Sequence, residues 1–234
     1  MSWSLVVTTP EQARAALADP PGALDLRALP GPDGAPWSAL GFVPLADGSD
    51  ELVRPVPLVL PTVAATRALG ARIAVDLRAG DLVVLTGPLG AGKTALVQGL
   101  AQALGVAGAV TSPTFVLART HRGTPPLVHA DAYRLRDAGT RAVDDLDLDT
   151  DLPHTVTVVE WGEGLVEHLA ASYVHVVLQR EPGAADTGAG DEPRLATVTA
   201  HGLRWSVRKA GQNTVRTRSG APGGAGDGPD YGET

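Results

Sequence analysis

The chain has 234 residues, 44% of them apolar, which is enough for one sizeable core plus appendages. A formal charge of -7 and a pI near 5.3 exclude the basic surface a free-standing nucleic-acid binder needs. The absence of cysteine excludes disulfides, thiolate metal sites and a cysteine nucleophile.

Residues 1–55 are rich in Pro and Gly, with one short helix expected from Thr9 to Ala18. The rest of this stretch is expected to be an irregular N-terminal appendage of no assignable role. Residues 56–207 are expected to form a single α/β domain. It opens with a helix after Leu60 that has Thr62 as its N-cap and ends before Gly80. The segment DLVVLTG (81–87) suits a short buried strand entering a glycine loop, and KTALVQGLAQALG then has helical apolar spacing up to Gly105.

Two strands follow, TFVLARTH (114–121) and PLVHADAYRL (126–135), joined by a turn-forming RGTP into an antiparallel ribbon. The run 144–153 has five Asp within eight residues and suits a solvated loop or frayed helix end. TVTVVEW (155–161) is a strand, EGLVEHLA (163–170) a short helix, and 173–180 and 194–202 a strand pair. Residues 181–193 read as a disordered hairpin loop and 208–234 as a disordered Gly-rich tail. The N-terminus lacks a basic region followed by an apolar run, and no stretch of about 18 apolar residues occurs, so a cytoplasmic protein without membrane contact is expected.

Seventeen arginines accompany only two lysines, Lys93 and Lys209. Lys93 lies in Gly87-Pro88-Leu89-Gly90-Ala91-Gly92-Lys93-Thr94, which fits G-x-x-x-x-G-K-[ST] between a predicted strand and a predicted helix. In such a loop the glycines let backbone N–H groups converge on phosphate oxygens at a positive helix end. A slim three-donor ammonium then reaches the β- and γ-phosphates where a planar guanidinium is too bulky. The stretch from Pro88 to Ala95 is therefore the expected ATP contact, and the Thr94 hydroxyl is offered to Mg²⁺. Carboxylates must come from other strands, and ligands gather at C-terminal strand ends in open α/β sheets. Asp131 and Glu160 end two such strands.

These residues, taken with Ser112-Pro113-Thr114-Phe115, His129-Ala130-Asp131-Ala132-Tyr133-Arg134-Leu135 and Val159-Glu160-Trp161, resemble the bacterial TsaE family over about residues 60–205. That family supplies the ATPase subunit of the machinery that makes threonylcarbamoyladenosine in tRNA. The resemblance implies a P-loop NTPase-like three-layer domain with a mixed central sheet. It also implies binding of ATP and Mg²⁺, and association with two paralogous partner proteins of the threonylcarbamoyl transferase complex. tRNA, modified at the adenosine next to the anticodon, would be met only through that complex, whose turnover the ATP hydrolysis supports. Carried over by motif, Lys93 and Thr94 hold phosphates and metal, and Asp131 and Glu160 are the acids that position metal or water. Trp161 lies near the nucleotide, and Ser112 and Thr114 belong to a switch-like loop. Two positions depart from the family pattern. Pro88, which has no N–H to donate, stands where an acid is usual, and Ala130 stands where Phe is usual.

Two other functions use the same loop. A small-molecule kinase needs an acceptor pocket and an arginine-bearing lid, and no lid segment is recognisable. A nucleotide-dependent interaction module needs no hydrolysis, in keeping with the lack of a recognisable arginine finger. Tyr133 and Arg134 are open to partner, phosphate or packing roles, and His129 to a strand-packing role. The six histidines have no metal-ligand spacing.

Overall fold

The computed structural model describes residues 4–18, 25–28, 37–45, 51–180 and 192–205. The expected disordered tail, 208–234, and the loop 181–191 lie outside the described residues. The main sheet has seven strands: β5 (Leu58–Leu60), β6 (Leu82–Thr86), β7 (Ala118–His121), β8 (Leu127–Asp131), β9 (Val156–Glu160), β10 (Tyr173–Arg180) and β11 (Arg194–His201). Their spatial order is β5-β11-β10-β6-β9-β8-β7. β10, β6, β9 and β8 run parallel, while β11 and β7 pair antiparallel at the flanks. The sheet is thus mixed, as expected from the resemblance.

β6, β8 and β9 are buried on both faces and so need not alternate apolar with polar residues, whereas β10 alternates buried with half-buried positions. On one face Val83, Leu85, Val158 and Val176 pack under α2 (Val63–Ala74) and α3 (Lys93–Ala103) through Leu69, Ile73, Leu96 and Leu100. On the other, Leu82, Val84, Val128 and Val159 meet Val143, Leu148, Leu152 and Val166. Those side chains come from the short helices α4 (Thr140–Asp144) and α5 (Leu148–Asp151) and the turns around them.

Thr62 caps α2 by accepting from Ala65 N–H at 3.1 Å, as its sequence position predicts. α2 and α3 touch backbone to backbone. A Cβ added at Gly99 would lie 1.9 Å from the Arg67 carbonyl oxygen, so this closeness requires glycine. Arg67 also donates to Gln98 Oε1 at 3.1 Å across the same contact.

Several elements differ from expectation. The N-terminal stretch is not irregular. Besides α1 (Pro10–Ala18), strands β1 (Ser4–Val7), β2 (Asp25–Ala28), β3 (Val43–Pro44) and β4 (Leu52–Pro55) form a second sheet of order β1-β2-β4-β3. Val7, Ala13, Leu26, Trp37, Phe42 and Val56 give it a core of its own. Strands of two to four residues interrupted by proline are too short for periodicity to reveal. The ribbon strands are shorter than predicted. Leu117 at φ 66 ends β7 before Thr114, and Asp131 turns the chain into a 3-10 turn at Tyr133–Leu135. Residues 163–170 are turns closed by one 3-10 turn, Glu167–Leu169, rather than a helix. The aspartate run carries α5 within its turns, with Leu148 and Leu152 reaching the core between exposed acids.

Candidate functional site

Leu82 to Leu85 are wholly buried in β6, and the chain leaves this strand into the glycine loop, residues 87–92. Gly92, at φ 102, begins α3, and no side chain caps that helix. Its first-turn N–H groups are therefore left for something else, at the end where the helix dipole is positive.

Lys93 is only 5% exposed. Its ammonium donates to the carbonyl oxygens of Gly87 at 2.8 Å and Pro88 at 3.0 Å, and lies 3.9 Å from the centroid of the Trp161 ring. Burial holds it below the ordinary lysine range, with Glu160 and Asp131 pulling in the opposite direction. No carboxylate touches it directly.

Register brings the acids in from the neighbouring strands. Leu85 faces Glu160 across β6–β9, and Glu160 faces Asp131 across β9–β8, so one row crosses three parallel strands. Both acids are 3% exposed. The Thr94 hydroxyl, at the start of α3, donates to Glu160 Oε1 at 2.9 Å. His129 Nε2 lies 3.0 Å from the same oxygen. Asp131 Oδ1 accepts the Tyr133 N–H at 2.9 Å, and its Oδ2 accepts the Thr114 hydroxyl, which is itself 2.7 Å from Ser112 Oγ. Trp161 adopts φ 62, with its N–H on the Leu85 carbonyl at 2.8 Å. This sharp exit from β9 turns the indole back over Lys93, beside Tyr133 (ring centroids 5.1 Å apart) and Arg136 (5.4 Å). A cleft of about 330 Å³ opens beside it, lined by Thr86, Gly87, Pro88, Arg136, Trp161 and Leu178.

The fold thus gathers Lys93, Thr94, Ser112, Thr114, Asp131, Glu160 and Trp161 around one helix N-terminus. Hydroxyl and carboxylate oxygens make a donor set suited to a hard cation such as Mg²⁺. The uncapped amides and the carbonyl-bound ammonium suit an anion. Pro88 contributes through its carbonyl. Ala91 is buried, Ala95 is half-buried, and Leu89 points outward at 85% exposure. His129 turns out to hold a site carboxylate.

Two arginines that sequence reasoning passed over also reach the loop. Arg194 is 7% exposed, and its Nη2 lies 3.5 Å from the Gly90 carbonyl while Nε and Nη1 have no partner. Arg180 pairs with it in the β10–β11 register, with a terminal nitrogen 2.8 Å from where a Gly90 Cβ would stand. Their only signal in the sequence is that they occupy the facing ends of a predicted strand pair.

The sequence matches the model of the family described as "Threonylcarbamoyl adenosine biosynthesis protein TsaE" over residues 60–187. The chain is 55% identical over 144 residues to the "tRNA threonylcarbamoyladenosine biosynthesis protein TsaE" of Streptomyces coelicolor, covering 60% of this chain and 94% of that protein. It is 35% identical to the protein of that name from Bacillus subtilis, over 61% of this chain and 84% of the relative. Among solved structures, the crystal structure titled Bacillus subtilus YdiB aligns with a TM-score of 0.51 and 29% identity, over 66% of this chain and 90% of that one. The matched family region begins at Leu60, after the N-terminal sheet.

Proposed function

This chain belongs to the TsaE family of threonylcarbamoyl adenosine biosynthesis proteins, and we propose that it is the Mg²⁺-dependent ATP-binding and hydrolysing subunit of the complex that forms N6-threonylcarbamoyladenosine in tRNA. The observation that carries this reading is the Thr94–Glu160 bond. It joins the threonine of the glycine loop to a carboxylate 66 residues further along the chain, at the uncapped start of a helix and beside a buried lysine.

The first-turn amides of α3 and the Lys93 ammonium bind the phosphates, with Lys93 exchanging its two loop carbonyls for phosphate oxygens. Thr94, Glu160 and Asp131 hold Mg²⁺. When bound, the ion neutralises phosphate charge and so eases attack on the terminal phosphorus. Glu160 or Asp131 orients the attacking water, and the Ser112–Thr114 pair lies where a terminal phosphate would reorganise it. Trp161 closes one wall of the site.

Leu89 of the glycine loop and Phe115, next to Thr114, are 85% and 86% exposed, and Tyr133 is 54% exposed. Such large apolar groups around a polar site favour a protein that docks over it. They support the expectation of partner proteins that complete the site and raise a weak intrinsic activity. tRNA is then engaged through those partners, in keeping with the acidic balance of the chain.

Saturable ATP binding that Mg²⁺ tightens is expected, with Mg²⁺-dependent turnover below the 1–100 per second typical of efficient kinases until partners are added. Glu160→Ala should leave ATP bound and abolish turnover. Hydrolysis unchanged by that substitution would sink the enzymatic assignment, and absence of ATP binding would sink the whole reading.

A further inference from the structure

We propose that His129 is a positioning residue that fixes the Glu160 carboxylate for cation binding. The inference rests on the nucleotide reading of the glycine loop, and it assigns a role to a buried side chain that the reading leaves unused.

His129 sits on β8 opposite Val158 of β9, and the next outward pair on the same face is Asp131 with Glu160. The imidazole is wholly buried, and its Nε2 lies 3.0 Å from Glu160 Oε1. The same oxygen accepts the Thr94 hydroxyl, so in this contact the imidazole is the donor, through Nε2–H. Nδ1 has no partner and is cut off from solvent.

Packing does not explain a histidine here. The position lies between Leu127 and Asp131 on the face that carries the α2–α3 core, and burying a ring nitrogen without a partner costs stability relative to an aliphatic side chain. What the imidazole provides is one N–H aimed at one oxygen.

Glu160 Oε1 accepts two donors, His129 Nε2–H and Thr94 Oγ–H, and Oε2 has no protein donor. The two donors differ in freedom. The Thr94 hydroxyl rotates about a single bond at the mouth of the site and is the group the loop motif offers to the cation. The His129 ring is held by the strand and the core and has no other acceptor to turn to. It therefore keeps Oε1 in place when Thr94 turns away, and so fixes the orientation in which Glu160 would meet a cation. Outer partners of this kind orient ligating carboxylates, and their loss commonly weakens a metal about 10–100-fold.

The test is calorimetric titration of ADP into the full chain, in EDTA and across a range of Mg²⁺ concentrations, for wild type, His129→Leu and His129→Gln. The expected result for His129→Leu is unchanged ADP affinity in EDTA with a Mg²⁺ requirement raised about 10–100-fold. His129→Gln, whose Nε2 can donate to the same oxygen, should recover most of that loss. Normal ADP binding with an unmoved Mg²⁺ requirement in His129→Leu overturns the positioning role and leaves the nucleotide reading intact. Failure of the wild type to bind ADP overturns both. Should His129→Leu not fold, the ring ¹⁵N resonances of histidine-labelled wild type decide the matter. A proton on Nε2, protected from solvent exchange, is expected, and an Nε2 that carries no proton overturns the proposal.

Discussion

Among the described residues, the buried charged cluster of the N-terminal sheet and the one at the glycine loop are built in opposite ways. In the N-terminal sheet Arg27, wholly buried, bonds Glu51 at 2.9 Å and Asp25 at 3.3 Å and donates to the Ala200 carbonyl of the main sheet. Its charge is met inside the protein by two acids that are 2% and 1% exposed. At the glycine loop, Lys93 is nearly as buried, yet it rests on two carbonyls while Glu160 and Asp131 take up hydroxyl, imidazole and amide donors. Opposite charges are brought close and not allowed to meet. A cluster whose opposite charges bond each other directly ties two sheets together, whereas one that keeps its charges apart leaves them open to a charged ligand.

The largest effect is expected at the closed cluster. Arg27→Met removes the guanidinium that Asp25 and Glu51 share, and breaking a buried ion pair from one side costs about 3–5 kcal/mol. Thermal or denaturant unfolding should record a large loss, with ADP affinity unchanged in whatever fraction remains folded. Lys93→Met should invert that pattern. Removing a charge-assisted phosphate contact of about 3 kcal/mol weakens nucleotide binding on the order of 100-fold. The melting temperature should hold or rise, because burial already disfavours the ammonium. If both variants lost similar stability, the contrast between the clusters would be wrong.

The smallest effect sharpens the boundary between them. His175 on β10 lies 2.9 Å from the Thr86 hydroxyl, immediately before the glycine loop. Burial lowers its pKa from 6.5, against the pull of Glu163 and Glu167, and burial lowers His121 likewise. The unfolded chain therefore binds these protons more readily, so stability falls as pH drops below about 6.5 and is indifferent to these groups above it. His175→Gln, which keeps a donor near Thr86 and does not titrate, should reduce that slope below about pH 6.5 in melting experiments. An unaltered slope would place the acid sensitivity elsewhere.

The legibility of each part follows from how local its causes are. The glycine loop, Thr62 as a cap, β6 and α3 were readable because a few adjacent residues dictate them. Glu160 and Asp131 were readable as strand ends. Their alignment with Leu85 in one row depends on β6–β9–β8 pairing, which no local window contains. Trp161 was placed near the nucleotide by resemblance, while its position over Lys93 comes from a positive-φ turn that its residue type does not announce. The N-terminal sheet was missed because its strands are stable only once paired and packed.

By itself, then, the sequence determined where the glycine loop that ends in Lys93 and Thr94 lies, that the core is a strand–helix layer around it, and to which family the chain belongs, since each rests on contiguous motifs. Only the tertiary structure decided that the Thr94 hydroxyl meets Glu160, that His129 stands behind that carboxylate, and that Arg180 and Arg194 approach the same loop. Hydrogen bonds reach about 3 Å, and residues tens of positions apart come within that distance only when strand order and register are set by the whole core.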